Sequence, residues 1–246
     1  MAPPLSVQLY SVRNDTDSRD DALRRLADIG FTAVEPYDPT NKPEELRKTA
    51  DELGLQVSAT HAFALLDEEP ARVFEAIATL GTDLAIVPAG TSLEDFSSRD
   101  ALARVADLLN GLSEQAATFG LRLGYHNHFW EFEPVIDGRH GLELLVDQVA
   151  PEIVFEVDTY WAAVGGADVP AVLARLGDRV TALHVKDGPI VKGEPNVAVG
   201  QGSMDVPAVL AAAPDAWRVV EFDACATDVF EALAASYAYL TSLEQS

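Results

Sequence analysis

One unit recurs along this chain and limits what it can fold into. A short apolar, β-branched run ends in a polar residue and is followed by an amphipathic stretch rich in Ala, Leu, Arg and Glu. LSVQLY precedes DDALRRLADIG, FTAVEPY precedes KPEELRKTADELG, LQVSATHAF precedes EEPARVFEAIATLG, and DLAIVPAG precedes a period-3.6 stretch from Ser98 to Phe119. The pattern continues through LRLGYHNH, EIVFEVDTYW, RVTALHVKDG and AWRVVEFDA, with helices expected around 141–149, over 169–176, at SMDVPAVLAAA and at ATDVFEALAASYAYLTSL. Gly30 and Gly54 stand where helix C-caps belong. Strands alternating with helices in this way specify an α/β fold with a parallel sheet.

Taking one polar residue per strand end gives Gln8, Glu35, His61, Pro88, His126, Asp158, His184 and Glu221, at spacings of 27, 26, 27, 38, 32, 26 and 37 residues. Eight βα units in about 250 residues is what a (β/α)8 TIM barrel requires, and in that fold the strand C-termini converge on one mouth. A doubly wound open sheet is the rival. It normally carries a glycine-rich phosphate turn, and neither GxGxxG nor GxxxxGK[ST] occurs here. No Gly/Ser-rich linker or low-complexity segment interrupts the pattern, so a single domain over 1–246 is expected. The segment GPIVKGEPNVAVGQG is read as an irregular covering loop.

Charge narrows the function classes. A formal net charge of −23 repels nucleic acid and anionic membrane surfaces over most of the molecule, so neither is an expected partner. No apolar run approaches the roughly 18–20 residues that span a bilayer, and the opening MAPPLSVQLY lacks the features of a secretory leader; a cytoplasmic protein is expected. The single cysteine, Cys225, excludes an internal disulfide and a Cys-based zinc cluster, so a bound metal would draw on His, Asp and Glu.

The richest stretch is LRLGYHNHFWEFE, where a strand runs into His126, Asn127, His128, Glu131 and Glu133. Glu131 and Glu133 alternate across Phe132, so only one is expected to face inward. Asp158, His184 and Glu221 supply an imidazole and two carboxylates from the last three strands. A fourth donor from the fifth-strand region, Glu131 or one of the two histidines, completes a mixed O/N site suited to one divalent ion, whether Mn2+, Mg2+, Co2+ or Zn2+. His61 lines the pocket or is a hydrogen-bonded structural residue. Glu35 lines the mouth or forms a salt bridge there, since a buried carboxylate without a partner is costly. Trp130 and Trp161 are either core or sugar-stacking aromatics, and His140, in a turn, is given no role.

At these residues the sequence resembles the xylose isomerase-like barrel superfamily, the sugar phosphate isomerase/epimerase group that includes tagatose 3-epimerase, hydroxypyruvate isomerase and inosose dehydratase. VQLYSVR, YHNHFWEFE, VDTYWAAVGGADV, LHVKDG, GQGSMDV and VVEFD resemble its landmarks in order, from about Leu5 to the last strand. The resemblance implies Asp158, His184 and Glu221 as metal ligands. The epimerases carry a glutamate at the end of the fifth strand where this chain has His126, and Glu131 is taken as the substitute ligand, with His126 or His128 as the alternative. It also implies a substrate-contacting Lys186, and Gln8, Tyr10 and Arg13 lining the first-strand corner. Gln8, Tyr10, Glu35, His61, Trp161 and Gln201 are the expected substrate-binding residues, and a homo-oligomer is left open.

The implied activity is a metal-dependent sugar or sugar phosphate isomerase/epimerase acting through an enolate beside a metal-chelated carbonyl, on a small sugar or cyclitol. Glu131 and Glu221 would share the proton transfers as paired carboxylates. If His126 and His128 face the substrate instead, histidine acid–base chemistry favours a dehydratase or lyase. Endonuclease IV shares the barrel but needs more zinc ligands and a surface tolerant of DNA. A non-catalytic sugar-binding relic of the fold is the remaining alternative.

Overall fold

Short strands buried on both faces and helices buried along one face build the same pair of elements repeatedly. The computed structural model describes residues 3–16, 18–66 and 69–243. In chain order the elements are β1 (Leu5–Gln8), α1 (Arg19–Ile29), β2 (Ala33–Glu35), α2 (Pro43–Leu53), β3 (Gln56–Val57), β4 (Thr60–His61), α3 (Pro70–Leu80), β5 (Leu84–Val87), α4 (Arg99–Thr118) and β6 (Arg122–His126). There follow a small hairpin of β7 (Val135–Ile136) and β8 (Arg139–His140), then α5 (Gly141–Val146), β9 (Val154–Asp158), α6 (Thr159–Val164), α7 (Val169–Leu176), β10 (Val180–Val185), α8 (Val206–Ala212), β11 (Trp217–Val220) and α9 (Val229–Leu243). Among the described residues no helix is long and apolar enough to cross a membrane.

Nine parallel strands form a nearly closed barrel in the order β3-β2-β1-β11-β10-β9-β6-β5-β4. The two ends of that order are halves of one extended segment. β3 pairs with β2 and β4 with β5, and between them Ser58 N–H donates to Val34 O at 3.0 Å while Ala62 N–H donates to Ile86 O at 2.9 Å. The segment 56–61 therefore closes the sheet on itself, and its staves match the eight units read from the sequence. The rival open sheet has two free edges, and this topology leaves none of that kind.

Alternation decides what each strand presents to the interior. In β9, Val154, Glu156 and Asp158 point one way while Phe155 and Val157 point to the helices. Ala59, Leu84, Ile86 and Val154 form a small buried cluster separate from the main core. On β6 the residue beside it is Gly124, where an added Cβ would meet Ile86 Cδ1 and lie 3.5 Å from both Leu84 Cδ1 and Val154 Cγ2. Apolar side chains thus plug the barrel, and the polar strand ends sit above the plug. The larger hydrophobic core lies between barrel and helices, where Val7, Leu23, Phe74, Leu102 and Leu123 are among the fully buried residues.

The segment 188–204 after β10 has little regular structure but is firmly anchored. The buried Asp187 carboxylate accepts four backbone N–H groups: Gly188 at 2.8 Å, Gly200 at 2.9 Å, and Gly202 and Met204 at 3.0 Å each. Gly202 packs so closely on Asp187 Oδ1 that a Cβ would collide with it. Asp187→Asn replaces two acceptor lone-pair directions with donors. It is expected to cost about 1–2 kcal/mol and to speed proteolysis within 188–204, measured by thermal melting and limited trypsinolysis.

Candidate functional site

The register aligns the functional side chains. Gln8 is level with Glu35, His126 with Glu156, and His184 with Asp158. Each faces the barrel axis and each is almost fully buried, as are Glu221 and Lys186. A cavity of about 110 Å³ opens above them, lined by Tyr10, Tyr37, His61, Phe63, Pro88, His126, His128, Lys186, Glu221 and Asp223. A larger cleft of about 450 Å³ lies outside the barrel between the starts of α1 and α2 and contains none of the strand-end residues.

Lys186 organises the upper part of the site. Its Nζ lies 2.8 Å from Asp158 Oδ2, 2.7 Å from Glu221 Oε2 and 2.7 Å from Asp223 Oδ2. Burial alone would lower its pKa, but these carboxylates overcome that and hold it well above the ordinary lysine value. Glu221 also accepts from His184 Nδ1 at 2.6 Å. Burial would raise its pKa, yet Lys186 and His184 hold it well below the carboxylate range. Asp158 is pushed up to about 6 by burial despite the nearby ammonium, and its Oδ1 caps α6 by accepting from Trp161 N–H at 2.8 Å.

A second layer lies beneath, built on Glu35 and Glu156. Glu35 Oε1 accepts from Gln8 Nε2 at 2.6 Å and faces His184 Nε2 at 2.9 Å. Glu156 Oε2 faces Nε2 of His61 at 2.6 Å and Nδ1 of His126 at 3.0 Å. Burial, reinforced by Glu156, raises Glu35 to about 7. Burial opposes ionisation of Glu156 too, but His184 and His61 hold it well below its ordinary value. Burial would lower His184, and Glu156, Glu221 and Glu35 instead hold it well above the imidazole range.

Two groups of four buried residues come close enough to hold a metal ion: His126, Asp158, His184 and Glu221, and below them His61, His126, Glu156 and His184. Within each, the ligand atoms lie within 4.8 Å of one another, and both combine imidazole with carboxylate, so the donor chemistry fits a divalent cation. Glu35 Oε2 and Glu156 Oε1 are buried without a hydrogen-bond partner among the described residues, which adds unmet demand for positive charge. In the upper group, Asp158 and Glu221 already share the Lys186 ammonium.

The structure brings together Asp158, His184 and Glu221 as the sequence expects, but the fifth-strand donor beside them is His126 and not Glu131. Glu131 lies five residues past the strand end, where the chain has turned back. Its Oε1 accepts from Tyr125 Oη at 2.7 Å and its Oε2 from His128 N–H at 2.8 Å. Of the adjacent glutamates, Glu131 is buried and Glu133 exposed. Gln8 and Glu35 lie beneath the cavity, while Tyr10, His61, His126 and His128 line it. Arg13 reaches the first-strand corner by donating to Tyr10 O at 2.6 Å and Asp223 O at 3.0 Å. Trp161 is half-buried, 5.7 Å from Lys186 Nζ. Gln201 is exposed on the 188–204 segment and does not line the cavity. His128 stacks on Trp130 at 4.2 Å; burial and then Lys186 push it down to about 3, so it is neutral near pH 7. His140 Nδ1 lies 2.6 Å from Phe132 O at the start of α5.

Glu131 gives a pH-dependent expectation. Burial raises it from 4.5 to about 8. A carboxyl whose folded pKa is raised contributes most stability below its unfolded value and loses it as pH rises toward the folded one. In Glu131→Gln the amide oxygen can take the His128 N–H while its NH2 meets Tyr125 Oη. Wild type is therefore expected to lose stability between pH 5 and 8 relative to this variant, measured by urea unfolding of both proteins at each pH.

A closed parallel barrel whose strand C-termini meet in buried imidazoles, carboxylates and one lysine defines a (β/α)8 protein with its polar site at the mouth. The chain belongs to the xylose isomerase-like TIM barrel family, whose model matches residues 23–217. It is similar to a sugar phosphate isomerase/epimerase from Parabacteroides distasonis, with 24% identity, a TM-score of 0.82, and coverage of 98% of this chain and 95% of that one. It is also similar to a probable 3-DHS dehydratase from Bacillus anthracis, at 15% identity and a TM-score of 0.77, covering 97% and 99%. A 3-dehydroshikimate dehydratase from Pseudomonas aeruginosa is 28% identical over 124 residues, which is 44% of this chain. That match spans only 19% of the dehydratase.

Proposed function

We propose that this protein is a sugar or cyclitol isomerase/epimerase that removes the proton next to a substrate carbonyl. The observation that carries this reading is the contact, at the cavity, of the Lys186 ammonium and the Glu221 carboxylate, 2.7 Å apart. Such a pair can stabilise an oxyanion with the ammonium while the carboxylate takes a proton from the adjacent carbon. Tyr10 and Tyr37, in edge contact at 5.4 Å, offer an aromatic wall for the ring of a polyhydroxylated substrate.

His126 and His184, which belong to both donor groups, would hold a divalent ion together with neighbouring carboxylates. When bound, such an ion withdraws charge from the substrate carbonyl and lowers the barrier to enolisation. The chain's own part is to fix the substrate, keep Lys186 protonated, and exclude bulk water from the buried floor formed by His61, His126, Lys186 and Glu221. Glu131 is turned away from the cavity, so the paired-carboxylate arrangement expected of Glu131 and Glu221 is replaced by Glu221 with histidine and lysine partners.

A second reading, dehydratase or lyase, is favoured by one specific feature. His126 and His128 both line the cavity. A neutral imidazole that takes the α-proton while the Lys186 ammonium gives one to a departing hydroxyl would convert α-proton removal into elimination. The partial similarity to a dehydratase points the same way.

The test is to incubate the protein with ketoses and inososes in D2O and follow them by proton NMR. Deuterium entering at the carbon next to the carbonyl, with an epimeric or isomeric product, supports the first reading. A new vinylic signal supports the second. No exchange across the panel, from protein verified as folded and metal-loaded, would sink both.

A further inference from the structure

The lower donor layer is put together in a way that hydrogen bonding alone does not account for. Nε2 of His61, Nδ1 of His126 and Nε2 of His184 stand 2.6, 3.0 and 3.2 Å from the same atom, Glu156 Oε2. Two of these nitrogens also face Glu35 Oε1, His184 at 2.9 Å and His61 at 3.2 Å. The three rings gather with centroids 4.5–5.0 Å apart.

As a hydrogen-bond network this layer is overfull on one side and bare on the other. A carboxylate oxygen has two lone pairs, and three ring nitrogens converge on Glu156 Oε2. Meanwhile Glu156 Oε1 and Glu35 Oε2, on side chains with no exposure, have no hydrogen-bond partner among the described residues. A cation accepting lone pairs from the three nitrogens and from Glu156 removes the crowding.

We propose that His61, His126, His184 and Glu156 form the resident site for one divalent transition-metal ion. It lies beneath the group formed with Asp158 and Glu221, where the Lys186 ammonium already takes the cation's part. Three imidazoles and one carboxylate select a borderline ion of the Zn2+ or Co2+ kind over hard Mg2+. His184 then ligates through Nε2 and donates its Nδ1–H to Glu221, the carboxylate–histidine–metal arrangement that fixes a ligand's tautomer and orientation. His61 and His126 both line the cavity, which gives the ion a path in. The placement of the ion is independent of the reaction proposed above, and its test reads binding and not turnover.

Protein stripped with a chelator is titrated with Co2+, and the visible spectrum, ion content per chain and melting temperature are read for wild type, His61→Gln, Glu156→Gln and Asp158→Asn. One ion per chain is expected in wild type and in Asp158→Asn, with affinity at least about tenfold weaker in His61→Gln and Glu156→Gln. Where a variant fails to fold, long-range proton–nitrogen NMR of the wild-type imidazoles with Zn2+ decides, and His61, His126 and His184 nitrogens should all shift. Loss of the ion in Asp158→Asn with retention in His61→Gln, unshifted His61 nitrogens, or no tight binding by wild type would each overturn the proposal. Any of these can occur with α-proton exchange intact, so failure here is distinct from failure of the proposed reaction.

Discussion

Lys186→Met is expected to lower turnover of any substrate the wild type processes by about 10²–10³-fold, the usual effect of removing one fixed electrostatic stabiliser. The same change should destabilise the fold by about 3–5 kcal/mol, because it leaves buried carboxylates without their counter-charge. Asp158, Glu221 and Asp223 all lie within 2.8 Å of the ammonium. Methionine fills much of the volume and supplies no charge, so packing is a minor part of the loss. The two effects separate experimentally. Urea unfolding reads the stability change with no substrate present, and methylamine added to Lys186→Ala should restore part of the activity only if the ammonium itself acts in the cavity. An unchanged melting temperature in Lys186→Met would mean that the three carboxylates are held protonated, and the charge account of the site would fail.

The barrel was legible because its signal repeats. Eight apolar runs recur, seven ending in a polar residue and the fourth in Pro88, and all eight fall at or beside barrel strands. The site was half legible, and what was missed shares one pattern. On four adjacent staves the functional residues come in pairs two apart: His126 and His128, Glu156 and Asp158, His184 and Lys186, Glu221 and Asp223. Side chains two apart in a strand share a face, so reading one polar residue per strand end passed over Glu156 and Asp223, while His128 and Lys186 were named from the histidine cluster and the family resemblance. Glu156 in VFEVD was available to the same reasoning that picked Asp158, and Asp223 to that which picked Glu221. The role of Asp187 was not legible. Its carboxylate is defined by backbone N–H groups from as far along the chain as Met204, and the fold of that segment follows no period. Glu131 was misplaced for a similar reason. Choosing the nearest carboxylate assumes that the loop continues the strand's direction, whereas the chain turns back and buries Glu131 against Tyr125.

His184→Ala should be the most disruptive single substitution in the upper and lower layers together, since this one ring serves both. Nδ1 meets Glu221 at 2.6 Å, and Nε2 meets Glu35 at 2.9 Å and Glu156 at 3.2 Å. Truncation leaves three buried carboxylates facing a cavity, for which about 3–5 kcal/mol is expected from the lost partner alone. The pH dependence follows from the charge. In the metal-free wild type the raised pKa of His184 contributes stability that is fully present below the unfolded value of 6.5 and is lost as pH rises through the folded one. Removing the ring also lets Glu35, Glu156 and Glu221 titrate upward, so the variant regains stability by protonating them as pH falls. The gap between the two proteins should therefore be wide at pH 6.5 and narrow toward pH 4.5, measured by urea unfolding at both values. His184→Gln, which keeps a donor and much of the volume, should recover only the hydrogen-bonded part. If His184→Ala and His184→Gln both keep the stability of the wild type, neither the charge nor the hydrogen bonds of the ring hold the carboxylates, and the electrostatic link between the two layers does not exist.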